Sequence, residues 1–127
     1  MREIKFKYIW KHDNGTVIEQ IHTLEDIEIG EIFLPHHGEY TLVARRQYSG
    51  RKDKNRNEIY EKDILGLPGL EDDSKVLIVF EKGAFRKSGQ PWGYDFLNVI
   101  DDLDEQMWIV IGNLYQNPEL IPNKRFL

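Results

Sequence analysis

The feature that most constrains the fold is a strict alternation of polar and apolar side chains near the start of the chain. Every second position from 4 to 10 is apolar, and these positions hold Ile4, Phe6, Tyr8 and Trp10. A two-residue period gives a β-strand one apolar face and does not fit a helix. The pair Asn14-Gly15 follows, and both residue types favour the positive φ angles of a type I′ turn. Residues 3–22 are therefore predicted to form a β-hairpin in which Ile21 lies opposite Tyr8.

The rest of the chain continues in short strand-like segments separated by turn residues. Further strands are predicted at 40–48, 58–65, 76–80, 84–86 and 108–114, with a shorter one at 32–34. The run 76–80 is apolar throughout, which is typical of a strand covered on both faces. Residues 96–105 fit either a short helix or a strand followed by an acidic turn. Thr23 and Asp26 have the spacing of a helix N-terminus, which Gly30 then ends.

These patterns predict a mainly β protein with short helices, in which an N-terminal β-hairpin packs on a small antiparallel barrel. At 127 residues the chain suits one domain, predicted to span residues 1–127. It contains no cysteine, which excludes disulfides, thiolate nucleophiles and Cys-ligated zinc. No apolar run approaches the ~18 residues of a membrane span. We therefore expect a cytoplasmic protein without a membrane partner.

Charge is unevenly distributed along the chain, whose net charge is −5. Six cations stand against Asp53 alone in the basic stretch 45–56, and they are Arg45, Arg46, Arg51, Lys52, Lys54 and Arg56. Acidic residues cluster at 71–73 and 101–105. Complementary patches on one small chain favour head-to-tail contacts, so we expect a homo-oligomer with a further protein partner. The alternative is a single-stranded nucleic-acid-binding barrel in which the basic stretch contacts phosphates and Tyr48 or Tyr60 stacks on bases.

No set of residues predicts catalysis. Ser49-Gly50 lacks the G-x-S-x-G frame of a nucleophile elbow, and no glycine-rich phosphate loop occurs. A hydrolase is therefore the lowest-ranked possibility, and we expect neither an enzyme nor a cofactor.

Metal binding is not predicted either. His36 and His37 are adjacent, so in extended chain their side chains point apart. Asp53, Asn55 and Asn57 occupy the first three ligand positions of a calcium loop, but the required later Gly and Glu are missing. These three residues, with Gly50, are instead predicted to shape a polar turn. Asp63 is predicted to bond nearby backbone amides.

Three segments carry a family resemblance, and they are 1–7, 47–64 and 111–120. Together they resemble the YopX family of phage and prophage proteins. The resemblance implies a phage-associated protein of mainly β structure with an SH3-like barrel, which self-associates in the bacterial host cell. It implies no activity. The family usually has Gly where this chain has Arg56 and Lys62, so we predict that Asn55 or Asn57 takes the left-handed conformation instead.

Overall fold

The structure is a computed structural model that describes residues 3–30, 39–69, 74–123 and 125. Nine strands occur among these residues: β1 Lys5–His12, β2 Val17–Thr23, β3 Tyr40–Lys52, β4 Glu58–Tyr60, β5 Asp63–Gly66, β6 Lys75–Glu81, β7 Ala84–Ser88, β8 Leu97–Val99 and β9 Ile109–Asn113. The helices among them are α1 Leu24–Glu28, α2 Asp104–Met107 and two 3₁₀ turns, Gln90–Trp92 and Pro118–Leu120. The predictions for 32–34, His36, His37 and the acidic cluster 71–73 lie outside the described residues.

The mainly β prediction is confirmed, whereas the predicted barrel is not seen. The strands of the described residues form two antiparallel sheets, and neither closes on itself. In the larger sheet the order is β8-β7-β6-β5-β9, which leaves β8 and β9 at opposite edges.

The chain divides into two compact units, residues 1–50 and 51–127, with the boundary inside β3. The prediction of a single domain over 1–127 stays a prediction. No helix of the described residues is long and apolar enough to cross a membrane.

In the first unit β1 pairs with β2, as the predicted hairpin requires, and also with β3. Its register differs from the prediction by one residue, because Tyr8 lies opposite Gln20 and not opposite Ile21. The turn explains the difference. His12 N–H donates to the Thr16 carbonyl oxygen at 2.7 Å, and Gly15 alone takes a positive φ, of 94°. This is a three-residue hairpin connection and not the predicted two-residue type I′ turn.

The second unit has a core on both faces of its sheet, as predicted for the run 76–80. One face buries Ile59, Leu65, Val76, Ile78, Phe85 and Ile100, and the other buries Ile64, Leu77, Val79 and Ile121. Strand β6 supplies alternate residues to both clusters. Residues 96–105 resolve into β8 and the short helix α2, the second of the two alternatives.

The strand patterns of the sequence also predict burial of Ile4, Phe80 and Ile111, but the structure exposes all three side chains. Ile4 lies just before β1, at the open end of the hairpin. Phe80 is near the end of β6, where an edge contact with Phe85 covers only part of its ring. Ile111 falls at the irregularity between β5 and β9, so it does not follow the alternation of its strand.

Candidate functional site

The charged stretch with the strongest sequence signature folds into a closed turn around a buried carboxylate. The side chain of Asp53 is 0% exposed. Its Oδ1 accepts hydrogen bonds from the Asn55 and Asn57 backbone N–H groups at 2.9 and 2.8 Å. Its Oδ2 accepts one from the Val110 N–H at 2.9 Å. A single carboxylate therefore fixes the shape of the turn and its position on β9. We call residues 51–57 the signature turn.

Every backbone N–H group of the signature turn between residues 53 and 57 donates a hydrogen bond. Asp53 N–H donates to the Asn57 carbonyl oxygen, and Arg56 N–H donates to the Asp53 carbonyl oxygen. Lys54 N–H donates to the Trp108 carbonyl oxygen at 2.8 Å. With the two amides bound by Asp53, no N–H of these five residues remains for a ligand. The turn is therefore not an anion-binding nest, which needs free N–H groups.

The same hydrogen bonds decide which residues adopt the left-handed conformation. Arg56 has φ 68° and Lys62 has φ 71°. The prediction that Asn55 or Asn57 would take this conformation is wrong. Asp53 Oδ1 holds the amides on both sides of residue 56, so the chain must reverse at that residue. Lys62 interrupts the predicted strand 58–65, and the turn is closed by the Tyr60 N–H, which donates to Asp63 Oδ2 at 2.7 Å.

Replacing Arg56 by Gly is expected to raise the free energy of unfolding by about 0.5–1 kcal/mol, because glycine relieves the steric cost of a positive φ. Arg56→Ala is the matched control, since it also removes the guanidinium but keeps a Cβ. Urea denaturation of the three proteins measures the effect. Equal midpoints for Arg56→Gly and Arg56→Ala would contradict the assigned conformation.

The signature turn is joined to the acidic segment 101–105 by two of its own residues. Arg51 Nη1 donates to Asp102 Oδ1 at 2.7 Å and to Glu105 Oε2 at 2.8 Å. Lys52 N–H donates to Glu105 Oε1 at 2.9 Å. The hydrogen bond to Asp102, together with Glu105, raises the pKa of Arg51. Arg51 is therefore a structural cation that binds two carboxylates.

The acidic segment also binds itself and one lysine. Asp101 N–H donates to Asp104 Oδ2, and Asp104 N–H donates to Asp101 Oδ1. The second of these hydrogen bonds lowers the pKa of Asp101 below its ordinary value. Lys87 Nζ lies 2.6 Å from Asp104 Oδ1, and Asp104 is buried. The cluster predicted as a free acidic patch is thus largely used inside the second unit.

Comparison with known families adds to this geometry. A family model described as YopX protein matches residues 2–122. The chain belongs to the YopX family. No curated protein matches it significantly. The family resemblance of the sequence is confirmed, and the match includes both the signature turn and the segment 111–120.

The signature turn of this YopX family member leaves few of the predicted binding residues at the surface. Tyr60 is fully buried and donates its hydroxyl to Glu58 Oε1 at 3.0 Å. Lys54 and Arg56 are exposed, and neither makes an ion pair with a carboxylate of the described residues.

In the first unit, too, some of the predicted binding residues are buried and others are exposed. Arg46 is buried, with Nη1 3.9 Å from Glu19 Oε1. Tyr48 is also buried, and the Lys5 ammonium lies 4.9 Å from its ring centroid. Gly50 takes φ 85°, and Arg45 is exposed. The basic stretch 45–56 thus contributes residues to both units, and some of its cations form contacts within the protein.

Two surface residues of the YopX chain were missed by the sequence reasoning. Leu103 and Met107 are 59% and 42% exposed. Leu103 immediately precedes α2, and Met107 is its last residue. The acidic segment 101–105 is joined to the signature turn through Arg51 and Lys52. The sequence did contain a signal for Leu103, because a leucine between acidic residues is unexpected in a solvated loop. We call Lys54, Arg56, Leu103 and Met107, four exposed residues of the signature turn and of the α2 segment hydrogen-bonded to it, the signature surface.

A metal site finds no support in the described part of the chain, where no group of three histidine or acidic side chains is placed to hold an ion. The calcium-like spacing of Asp53, Asn55 and Asn57 belongs instead to a hydrogen-bonded turn. Both Asp53 oxygens accept backbone N–H groups, Oδ1 within the turn and Oδ2 from Val110 on β9, so both face donors of the protein itself.

Proposed function

We propose that this chain is a phage- or prophage-encoded accessory protein that acts in the bacterial cytoplasm through self-association and by binding a protein partner, without an enzymatic activity of its own. The observation that carries the proposal is the signature surface. Two exposed apolar side chains, Leu103 and Met107, belong to a segment hydrogen-bonded to a rigid turn that presents two exposed cations. Apolar groups with a charged rim are typical of protein interfaces.

Rigidity supports this interpretation. The signature turn is held by Asp53 from inside and by Glu105 from its flank. A surface that is already ordered loses little conformational entropy when a partner binds. The segment around α2 is fixed by the reciprocal bonds of Asp101 and Asp104. The surface is therefore preorganised for a partner.

Nucleic-acid binding is the second candidate, and the exposed cations Lys54 and Arg56 favour it. The other requirements of that function are less well met. Single-strand binding proteins combine cations with exposed aromatic rings, whereas Tyr48 and Tyr60 are buried. The turn amides are already bonded and cannot hold a phosphate. We therefore rank protein binding first.

The test compares a surface variant with a matched control. The variant Lys54→Glu with Leu103→Gln changes one charge and one apolar group of the signature surface. The control Lys82→Glu with Val99→Gln makes the same kind of change at other exposed sites of the second unit. Each immobilised protein is incubated with extract of phage-carrying cells. We expect a protein retained by the wild type and the control to be lost from the surface variant.

The same proteins are titrated with single-stranded oligonucleotide over a range of salt concentrations. We expect no specific binding. Binding whose log–log salt slope corresponds to about 0.7 per neutralised phosphate, and which the surface variant abolishes, would replace the first candidate by the second. Equal retention of every protein by variant and wild type would contradict the role of the signature surface.

A further inference from the structure

Within the part of the chain that the structure describes, β2 has one paired edge and one open edge. Among the described strands β2 pairs with β1 alone, through seven consecutive residue pairs without a bulge. Its sequence is VIEQIHT, rich in β-branched residues, with Glu19 as its one formally charged residue. Natural edge strands are usually blunted by charged side chains, lysine above all, by proline, by a bulge or by a short length. Of these features β2 has only the carboxylate of Glu19, so its open edge is suited to pairing with another strand.

The hydrogen-bond pattern shows which residues direct their backbone groups outward. His12 N–H donates to the Thr16 carbonyl oxygen, and Leu24 N–H donates to the Ile4 carbonyl oxygen. Hydrogen-bonded pairs alternate with non-hydrogen-bonded pairs in an antiparallel ladder. The even-numbered residues of β2 therefore bond to β1, and Val17, Glu19, Ile21 and Thr23 point away from it. Asp26 Oδ2 takes the Thr23 N–H, which leaves the first three with donors and acceptors at the open edge.

The side chains along this edge are partly apolar and partly anchored. Val17 and Ile21 are 39% and 54% exposed. Between them Glu19 is held in its own sheet by Lys7 at 3.8 Å and by Arg46 at 3.9 Å. On the opposite face of β2, Gln20 Oε1 accepts the Trp10 Nε1–H at 3.0 Å. The strand is thus rigid, with exposed apolar groups on one face.

From this geometry we propose that the open edge of β2 pairs antiparallel with β2 of a second copy of the chain about a two-fold axis, with Gln20 opposite Gln20. This inference rests on the proposed self-association and names its surface.

Charge and overlap select that register. Pairing centred on Gln20 overlaps all seven residues of β2 and places Glu19 of each copy opposite Ile21 of the other. A register centred on Glu19 would set two like charges directly opposite each other, which is destabilising. It would also overlap fewer residues of the strand. The strand is self-complementary in the first register and not in the second.

A cysteine placed at the two-fold axis tests the register directly. The chain has no cysteine of its own, so any disulfide comes from the introduced residue. In the proposed register the two residues at position 20 form a non-hydrogen-bonded pair with Cα atoms about 4.5 Å apart, within the range of a disulfide. Gln20→Cys should therefore form a covalent dimer of twice the 15.1 kDa chain mass on mild oxidation. Ile18→Cys, whose opposite residue is His22, should stay uncross-linked.

A charge variant tests the energetics independently. Ile21→Glu places a carboxylate beside Lys7 within its own sheet, but opposite Glu19 of the second copy. We expect the dissociation constant of the dimer to rise about ten-fold or more, since opposed like charges disfavour association. Ile29→Glu is the matched control, because Ile29 is 60% exposed and lies after α1. Sedimentation velocity measures both.

The outcomes separate this inference from the proposed function. A wild-type chain that sediments as a monomer overturns self-association and the β2 pairing together. A wild-type oligomer in which Gln20→Cys forms no disulfide and Ile21→Glu leaves the mass unchanged overturns only the β2 pairing. Covalent dimers from Gln20→Cys but not from Ile18→Cys, with a weakened Ile21→Glu dimer, support the pairing and its register.

Discussion

Replacing Asp53 by Asn is expected to lower the free energy of unfolding by about 2–4 kcal/mol, although the two side chains are almost the same size. Both carboxylate oxygens accept hydrogen bonds: Oδ1 from two turn amides, and Oδ2 from the Val110 N–H and the Asn57 side chain. Whichever way the introduced side-chain amide is oriented, its NH₂ group faces a donor. At least one buried N–H then loses its acceptor.

The matched control for this change is Asp102→Asn. Asp102 also accepts a hydrogen bond, but its side chain is 92% exposed, so its ion pair with Arg51 is screened by water. An exposed pair of this kind contributes about 0–1 kcal/mol. Urea denaturation at neutral pH compares the two variants with the wild type. If Asp53→Asn cost no more than Asp102→Asn, the turn would not depend on its buried carboxylate.

Truncating Ile78 to Ala should cost about 2–5 kcal/mol, the range for removing most of a buried aliphatic side chain. Ile78 is fully buried between β5 and β7 in the larger of the two core clusters. Phe80, two residues along the same strand and on the same face, gives the internal comparison. It is 46% exposed and contacts Phe85 edge to face.

For Phe80→Ala we expect a loss of about 1 kcal/mol, since the change removes one aromatic contact and partial burial. Thermal and urea unfolding of both variants test the pair. A Phe80→Ala loss as large as that of Ile78→Ala would mean that Phe80 is covered in solution. This result would contradict the exposed position that the structure gives it.

The sequence predicted most of the strands because their signals are local. Alternation identified β1, and the apolar run 76–80 identified a strand covered on both faces. The capping box of α1 was also visible, since Thr23 and Asp26 exchange both predicted hydrogen bonds. These patterns depend on the side-chain period of a single segment, which neighbouring segments do not alter.

The incorrect predictions have a different origin. The hairpin register depended on whether Asn14-Gly15 formed the whole turn or part of a longer one, and one residue changes every opposite pair. The exposed position of Phe80 depends on where β6 ends relative to its neighbours. The spacing of apolar residues predicts on which face of a strand a side chain lies. It does not show how far the neighbouring segments cover that face.

The candidate site shows the same limit more strongly. Asp53 was predicted to shape a local turn, which the contacts of Asn55 and Asn57 fit, but its bond to Val110 joins positions 57 residues apart. Arg51 was counted among surface cations, and only the fold brings Asp102 and Glu105 to it. Whether a charged side chain is free or paired can be judged only when its neighbours from distant parts of the sequence are known. The basic stretch and the acidic cluster therefore looked like two free patches, although they partly neutralise each other.

Self-association is tested most directly by the mass of the wild-type chain in solution. Sedimentation equilibrium at micromolar concentration and moderate salt gives this mass without an assumption about shape. Self-association predicts a species of at least twice the 15.1 kDa chain mass, with dimers as its smallest unit if β2 pairs as proposed. A mass of 15.1 kDa across the whole concentration series would contradict self-association.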